Sequence, residues 1–332
     1  MSIFADIEDY EIESDKVSPL SKCAVFVGKE FKTIEVQSLS ASELDRASFS
    51  VYRCRFPVII KKGCDNWSIT KITKANIDEL MREAGMAATN ETAVLISHDN
   101  RQFLKHELTS TKTMTLTDAF DSIFSIEDSE SATADDAQKR YCRAYLDKVP
   151  GWIHTINLDK LDSLFEAGND EKVVEETMKN VSRAAEKNHS PWSNYKPKNI
   201  GVWASSAGCE TPLHFDLCHG FLCQVKGRKS FLLAPPEDTN SLAWKHASQN
   251  KNSLTSGVDL SLWMQGNQTQ RNMYPHIDEC AWRRADLDAG DILYTPPGWW
   301  HHVTSVTKSL SVLVPTDPGT IDELPWNVHA CA

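Results

Sequence analysis

The chain has 332 residues, enough for two domains of average size or for one large all-β unit. With 41% hydrophobic and 24% charged residues it reads as an ordinary soluble globular chain with a sizeable core, and no apolar run approaches the roughly 18 residues of a membrane span. A net charge of -11 repels phosphate backbones, which excludes sequence-independent nucleic-acid binding by the whole surface and leaves only a local basic groove open.

Residues 1–18 are acidic and poor in core-type side chains, so a flexible tail is expected, unlike the basic-then-apolar start of a signal peptide. The nine cysteines form no Cys-x-x-Cys pair, which points to a reducing compartment, cytosol or nucleus, and removes the usual zinc-built reader modules. From residue 19 to 332 a single unit is expected, helical in its N-terminal portion to about residue 195. Ser40 and Glu43 have the spacing of a capping box ahead of Leu44 and Phe49. Pro57 to Ile60 reads as a buried strand, Thr73 to Ala84 as a helix ended by Gly85, and Ala93 to Ser97 as a strand. Leu116, Phe120, Ile123 and Phe124 share one face of a helix over 116–124. Residues 125–136 read as a surface loop, and Arg140 to Leu146 as a strand whose Tyr141 and Tyr145 fit a half-buried sheet. The stretch from Leu158 to Trp192 is helical by its spacing, and Val202 to Ser205 is a short strand.

The next stretch, Thr211 to Pro236, carries the chemistry. In an extended strand side chains alternate, so His214 and Asp216 project from the same face and can converge on one point. Two apolar runs follow, separated by Gly227-Arg228, which reads as a two-residue hairpin loop, with Lys229 opening the return strand. With 11 histidines in the chain, composition supplies about one His-x-Asp by chance. A second copy, His276 to Asp278, lies in a polar, turn-rich region with no strand pattern after it and reads as that chance match. Residues 237–281 are polar and too long for a hairpin loop, so they form an insertion or a lid, with a helix near Leu260 to Met264. Gly290-Asp291 marks a tight turn, Ile292 to Thr295 a strand, and Ser309 to Val314 the last strong strand. Short strands with turn chemistry between them predict a mainly β barrel or sandwich, decorated by N-terminal helices.

A His and Asp pair needs one more ligand to make a 2-His-1-carboxylate set with open positions, the arrangement suited to non-haem Fe(II). His301 and His302, after Trp299-Trp300, are the candidates, and spacing alone does not choose between them.

Taken together, TPLHFD, FLCQVKGRKSFLLAPP and GDILYTPPGWWHHV resemble the JmjC (cupin-like) family of Fe(II)- and 2-oxoglutarate-dependent dioxygenases. The likeness covers about residues 40–315 and is nearest in style to small JmjC-only hydroxylases, such as the asparaginyl hydroxylase that acts on hypoxia-inducible factor. The resemblance implies a double-stranded β-helix (jelly-roll or cupin) core over about 200–315, with N-terminal and inserted α-helices. It implies His214, Asp216 and His301 as catalytic iron ligands, and Lys229, Thr211 and Tyr145 as contacts to the far carboxylate of 2-oxoglutarate. The cofactors implied are Fe(II), 2-oxoglutarate as co-substrate and O2. The reaction implied is oxidative decarboxylation of 2-oxoglutarate to succinate and CO2, coupled to hydroxylation of a side chain in a protein or peptide substrate. Demethylation of a methyl-lysine, on a histone for example, uses the same residues, and a non-catalytic cupin-like binding module is the reading from another class. The sequence departs from the family at Gly220, where some relatives carry a polar side chain, and at Val314-Pro315. The tail after Val314 is too short for a long helical dimerisation module, and the oligomeric state stays open.

Overall fold

The structure, a computed structural model, describes residues 31–71, 91–103, 108–124, 138–145, 161, 164, 200–244, 254–316 and 325–329. The expected tail over 1–18, the helix over 73–84, the loop over 125–136 and, apart from Leu161 and Leu164, the helical stretch over 158–192 lie outside the described residues. In chain order the strands and helices are β1 (Ile34–Glu35), β2 (Ser38–Ser40), α1 (Arg46–Ser50), β3 (Val58–Lys61), β4 (Glu91–Ser97), β5 (Thr109–Thr115), α2 (Leu116–Phe124), β6 (Arg140–Tyr145), β7 (Gly201–Ser205), β8 (Glu210–Phe215), β9 (His219–Lys226) and β10 (Lys229–Ala234). They continue with α3 (Leu260–Met264), α4 (Gln268–Met273), β11 (Arg283–Leu287), β12 (Ile292–Thr295), β13 (Trp300–Ser305), β14 (Ser309–Thr316) and α5 (Trp326–His329).

These strands build two facing sheets. A five-stranded sheet runs β1-β11-β10-β13-β8, and a nine-stranded sheet runs β2-β3-β12-β9-β14-β7-β6-β4-β5. From β8 the chain passes to the nine-stranded sheet at β9, back at β10, over again at β12, back at β13 and over at β14. That alternation is the double-stranded β-helix expected from the sequence. The turn at Gly227-Arg228 is where the expectation needs correction. Gly227-Arg228 does join two strands through a two-residue turn, but β9 pairs with β12 and β14 whereas β10 pairs with β11 and β13. The turn is therefore a corner between sheets and not a hairpin. Gly227 sits at φ +68°, and any Cβ there would run into the Lys308 carbonyl, so only glycine fits the corner.

Around their central strands both sheets are buried on both faces, which is why β9 and β10 are apolar on both sides, whereas the edge strands β1 and β5 are largely exposed. Leu222, Leu293, Phe231, Leu233 and Val303 meet between the sheets. The outer face of the nine-stranded sheet packs Phe221, Cys223, Val312 and Val314 against Phe49 of α1 and Phe120 and Ile123 of α2. The outer face of the five-stranded sheet is covered by residues from the 237–281 insertion, with Leu242, Val258, Leu260, Trp263 and Ile277 packed on Leu213, Phe215 and Trp300. The described part of the insertion is thus a layer behind the sheet, because its apolar residues are drawn to that sheet's second apolar face. Backbone bonds from Phe215 to the Leu254 carbonyl and from Ser256 to the Leu213 carbonyl fasten it to β8.

The Ser40 and Glu43 box is made, with Ser40 N–H donating to Glu43 at 2.9 Å and Glu43 N–H to Ser40 Oγ at 3.3 Å. It closes a turn; α1 begins later, where Asp45 accepts from Ser48 N–H at 2.7 Å and provides a second box. Among the described residues no helix is long and apolar enough to cross a membrane.

Candidate metal and co-substrate site

The site is built on the antiparallel pair β8 and β13. Trp300 lies opposite Phe215 and His301 opposite His214, but the next pairs are Val303 with Thr211 and Thr304 with Glu210. The register shift means that Pro212 and Leu213 together face His302, a bulge in β8 at a residue that has no N–H to give to the ladder. The bulge decides what points inward. Thr211 and His214 are an odd number of residues apart and would lie on opposite faces of a regular strand, yet both line the same cavity.

Both imidazoles are fixed in one tautomer by their own backbone. His214 Nδ1 lies 2.8 Å from the Pro212 carbonyl and His301 Nδ1 3.0 Å from the Trp299 carbonyl. A carbonyl only accepts, so each Nδ1 carries the hydrogen and each Nε2 presents a lone pair. The rings are 4.1 Å apart between centroids, and His301 Nε2 is 3.9 Å from Asp216 Oδ2. Donor atoms of His214, Asp216 and His301 all lie within 4.8 Å of one another, the one such cluster among the described residues. Burial and the neighbouring His301 lower the His214 pKa to about 4, so this imidazole is neutral at neutral pH. Two Nε2 lone pairs and one carboxylate make a donor set that fits a divalent transition metal and leaves positions open.

The cluster opens into a cavity of about 150 Å³ between the sheets. Lys229, from β10, reaches into it while only 3% exposed. Burial lowers its pKa to about 8, and no acidic side chain among the described residues forms an ion pair with it. Thr211 lines the same cavity from β8, and Tyr141 lines it from the opposite sheet. The remaining walls include Leu222, Phe231, Val303 and Leu313, with Gly220 opening space between Leu313 and Thr295. An ammonium, two hydroxyls and a cluster of side chains able to hold a metal, in one largely apolar chamber, are complementary to a small dicarboxylate.

Residues 48–315 match the cupin-like domain family. The chain belongs to that family. Among curated relatives it is 36% identical over 121 residues to JmjC domain-containing protein D of Dictyostelium discoideum, covering 36% of this chain and 25% of that protein. It is 37% identical over 114 residues to Jumonji C domain-containing protein 5 of Drosophila melanogaster (34% and 26%), and 36% identical over 115 residues to Lysine-specific demethylase JMJ30 of Arabidopsis thaliana (35% and 25%). The aligned stretches thus span about a quarter of each relative.

Within this cupin-like core the structure separates the two candidate histidines. His301 joins the cluster; His302 points to the other face of β13, where its Nε2 lies 3.4 Å from Glu210 Oε2. Tyr145 is placed by its backbone, opposite Gly201 in β7, and its side chain lies outside the described residues. Among the described side chains Tyr141, which sequence reading left as a core aromatic, lines the cavity. Strand alternation along β6 gives Tyr141 and Tyr145 the same face, which is the signal that could have raised Tyr141 as a cavity residue. Arg143 and Trp203 also line the cavity and were missed; they pair across β6 and β7, with the guanidinium 4.6 Å above the indole. His276 lies 62% exposed beside Glu279 and takes no part.

Proposed function

We propose that the chain is an Fe(II)- and 2-oxoglutarate-dependent oxygenase that hydroxylates a side chain of a protein or peptide substrate. The observation that carries this is the convergence of His214, Asp216 and His301 on a cavity that also holds the buried ammonium of Lys229. Fe(II), when bound by those three residues, supplies the redox chemistry that couples O2 and decarboxylation of the co-substrate to oxidation of a C–H bond. The chain's own part is binding and exclusion. Lys229 pairs with the far carboxylate of 2-oxoglutarate, while Thr211 and Tyr141 present hydroxyls to it. Tyr141 is suited to donating because burial raises its phenol pKa and keeps it protonated. Leu222, Phe231 and Val303 keep the chamber poor in water, and the Nδ1 bonds hold both imidazoles ready without reorganisation.

Methyl-lysine demethylation is the second reading, and the demethylase name of one aligned relative favours it. Both readings place the protein in the cytosol or nucleus with a protein partner, a histone in the second case. Purified protein with Fe(II), 2-oxoglutarate and a peptide pool should release succinate, with peptides gaining one oxygen atom. Loss of a methyl group from peptides would decide for the demethylase. No succinate from protein that retains iron would overturn both and leave a binding module.

A further inference from the structure

A second polar cluster lies behind the cavity wall, on the outer face of the nine-stranded sheet. His219 of β9 is fully buried, and its two ring nitrogens meet Tyr294 and Cys54: Nδ1 is 2.8 Å from the Tyr294 hydroxyl and Nε2 is 3.8 Å from Cys54 Sγ. Cys54 stands in the turn after α1 at φ +61°, a left-handed conformation that a non-glycine residue holds only when its surroundings impose it. The imposing contact is visible, since Cys54 N–H donates to the same Tyr294 hydroxyl at 3.1 Å.

Hydrogen bookkeeping then orders the chain of contacts. Tyr294 oxygen accepts from Cys54 N–H and shares one hydrogen with His219 Nδ1, so Nε2 faces the sulfur either as a lone pair that takes the thiol proton or as an N–H that stabilises the thiolate. In either arrangement the imidazole beside the sulfur favours the thiolate over an isolated thiol. The buried cysteines differ. Burial pushes Cys64, Cys209 and Cys280 up to about 12 and Cys142 to about 11, whereas Cys54 is half-buried and reachable.

We infer that Cys54, held by His219 and Tyr294, is a reactive thiol that hydroperoxides oxidise to sulfenic acid. In that step the thiolate sulfur attacks one peroxide oxygen, an S–O bond forms, the O–O bond breaks, and the departing hydroxide takes up the thiol proton as water. Sulfur is oxidised by two electrons and the peroxide is reduced by two. The site adjoins the cavity, because His219 precedes Gly220 and Tyr294 precedes Thr295, and both of those followers line it.

The test follows dimedone capture at each cysteine by peptide mass spectrometry, in reduced full-length protein given one equivalent of hydrogen peroxide. Cys54 should label about tenfold faster than Cys218, the other half-buried cysteine among the described residues, and His219→Asn or Tyr294→Phe should slow Cys54 by a similar factor. Equal rates at Cys54 and Cys218 would overturn the assignment, as would an unchanged Cys54 rate in a folded Tyr294→Phe protein. The wild-type ratio needs no substitution, so a His219→Asn chain that does not fold leaves the test standing.

Discussion

The two faces of the β8–β13 pair carry polar groups of similar number but opposite fate. On the inner face His214, His301, Thr211 and the nearby Lys229 look into open space, and the lysine's charge goes unanswered among the described residues. On the outer face the next residues along the same strands, Glu210 and His302, enter a closed network. Arg101 donates to Glu210 at 2.6 Å and to Asp259 at 2.6 and 3.1 Å, and Ser261 donates to Glu210 at 2.9 Å. Although burial opposes it, His302 and Arg101 hold the Glu210 carboxyl down at about 2. One face has satisfied its charges with protein and so contributes structure; the other has kept them for a ligand. The contrast separates function from stability within a few ångströms, and substitutions on either side should divide accordingly.

The largest effect is expected on the inner face. Asp216→Ala or His301→Ala should abolish succinate formation, by at least about a hundredfold, and reduce iron content while thermal unfolding changes little. His302→Ala is the control, since it should retain iron; if it lost iron and His301→Ala did not, the assignment of faces would be reversed. Next comes Glu210→Ala, which leaves His302 buried without its carboxylate and takes one of Arg101's partners away while Asp259 remains, and should cost about 3 kcal/mol of stability, measured by urea unfolding. The same carboxylate gives acid sensitivity of defined sign. Its folded pKa lies below the ordinary 4.5, so its contribution is present above that value and is lost as pH falls toward about 2.

Lys229 shows the reverse sign and an intermediate size. Its folded pKa of about 8 lies below the ordinary 10.5, so burying the ammonium costs stability at neutral pH, a cost that fades as pH rises through that window. Lys229→Met should therefore stabilise the ligand-free protein by on the order of 1 to 3 kcal/mol while raising KM for 2-oxoglutarate about tenfold to a hundredfold. In the unsubstituted protein, co-substrate binding measured by calorimetry should weaken as pH passes above about 8. A variant that bound 2-oxoglutarate normally would remove Lys229 from the site.

How much of this was legible depends on the distance over which a residue's role is decided. His214 and Asp216 are joined by strand alternation alone, and Lys229 follows at fixed spacing, so local pattern and family resemblance reached them together. The core strands 58–60, 93–97, 202–205, 292–295 and 309–314 were legible for the same reason, being apolar runs between turns. The bulge at Pro212 and Leu213 was not, because it exists only in the pairing with β13, and it is what turns Thr211 inward. Sheet membership of β9 and β10 was hidden too, since a Gly-x turn has the same local chemistry in a hairpin and in a corner. The Arg101, Glu210 and Asp259 network joins residues more than 100 positions apart, which no window along the chain reports.

The smallest predicted effect tests whether the inner face is merely open or specifically short of one contact. Gly220 sits on β9 opposite Pro315, and its φ is not in the left-handed region, so a side chain is permitted by the backbone. A Cβ there would meet Leu313 Cδ1 at 3.6 Å and the Thr295 carbonyl at 4.0 Å, ordinary contact distances. Gly220→Asn should thus fold with stability within about 1 kcal/mol of the parent and place an amide in the cavity. One additional neutral hydrogen bond to the co-substrate is worth about 0.5–1.5 kcal/mol, so KM for 2-oxoglutarate should fall about twofold to tenfold. If KM rises instead, the space beside Gly220 is occupied by the substrates themselves, and the open face is already fitted to its ligands at that point.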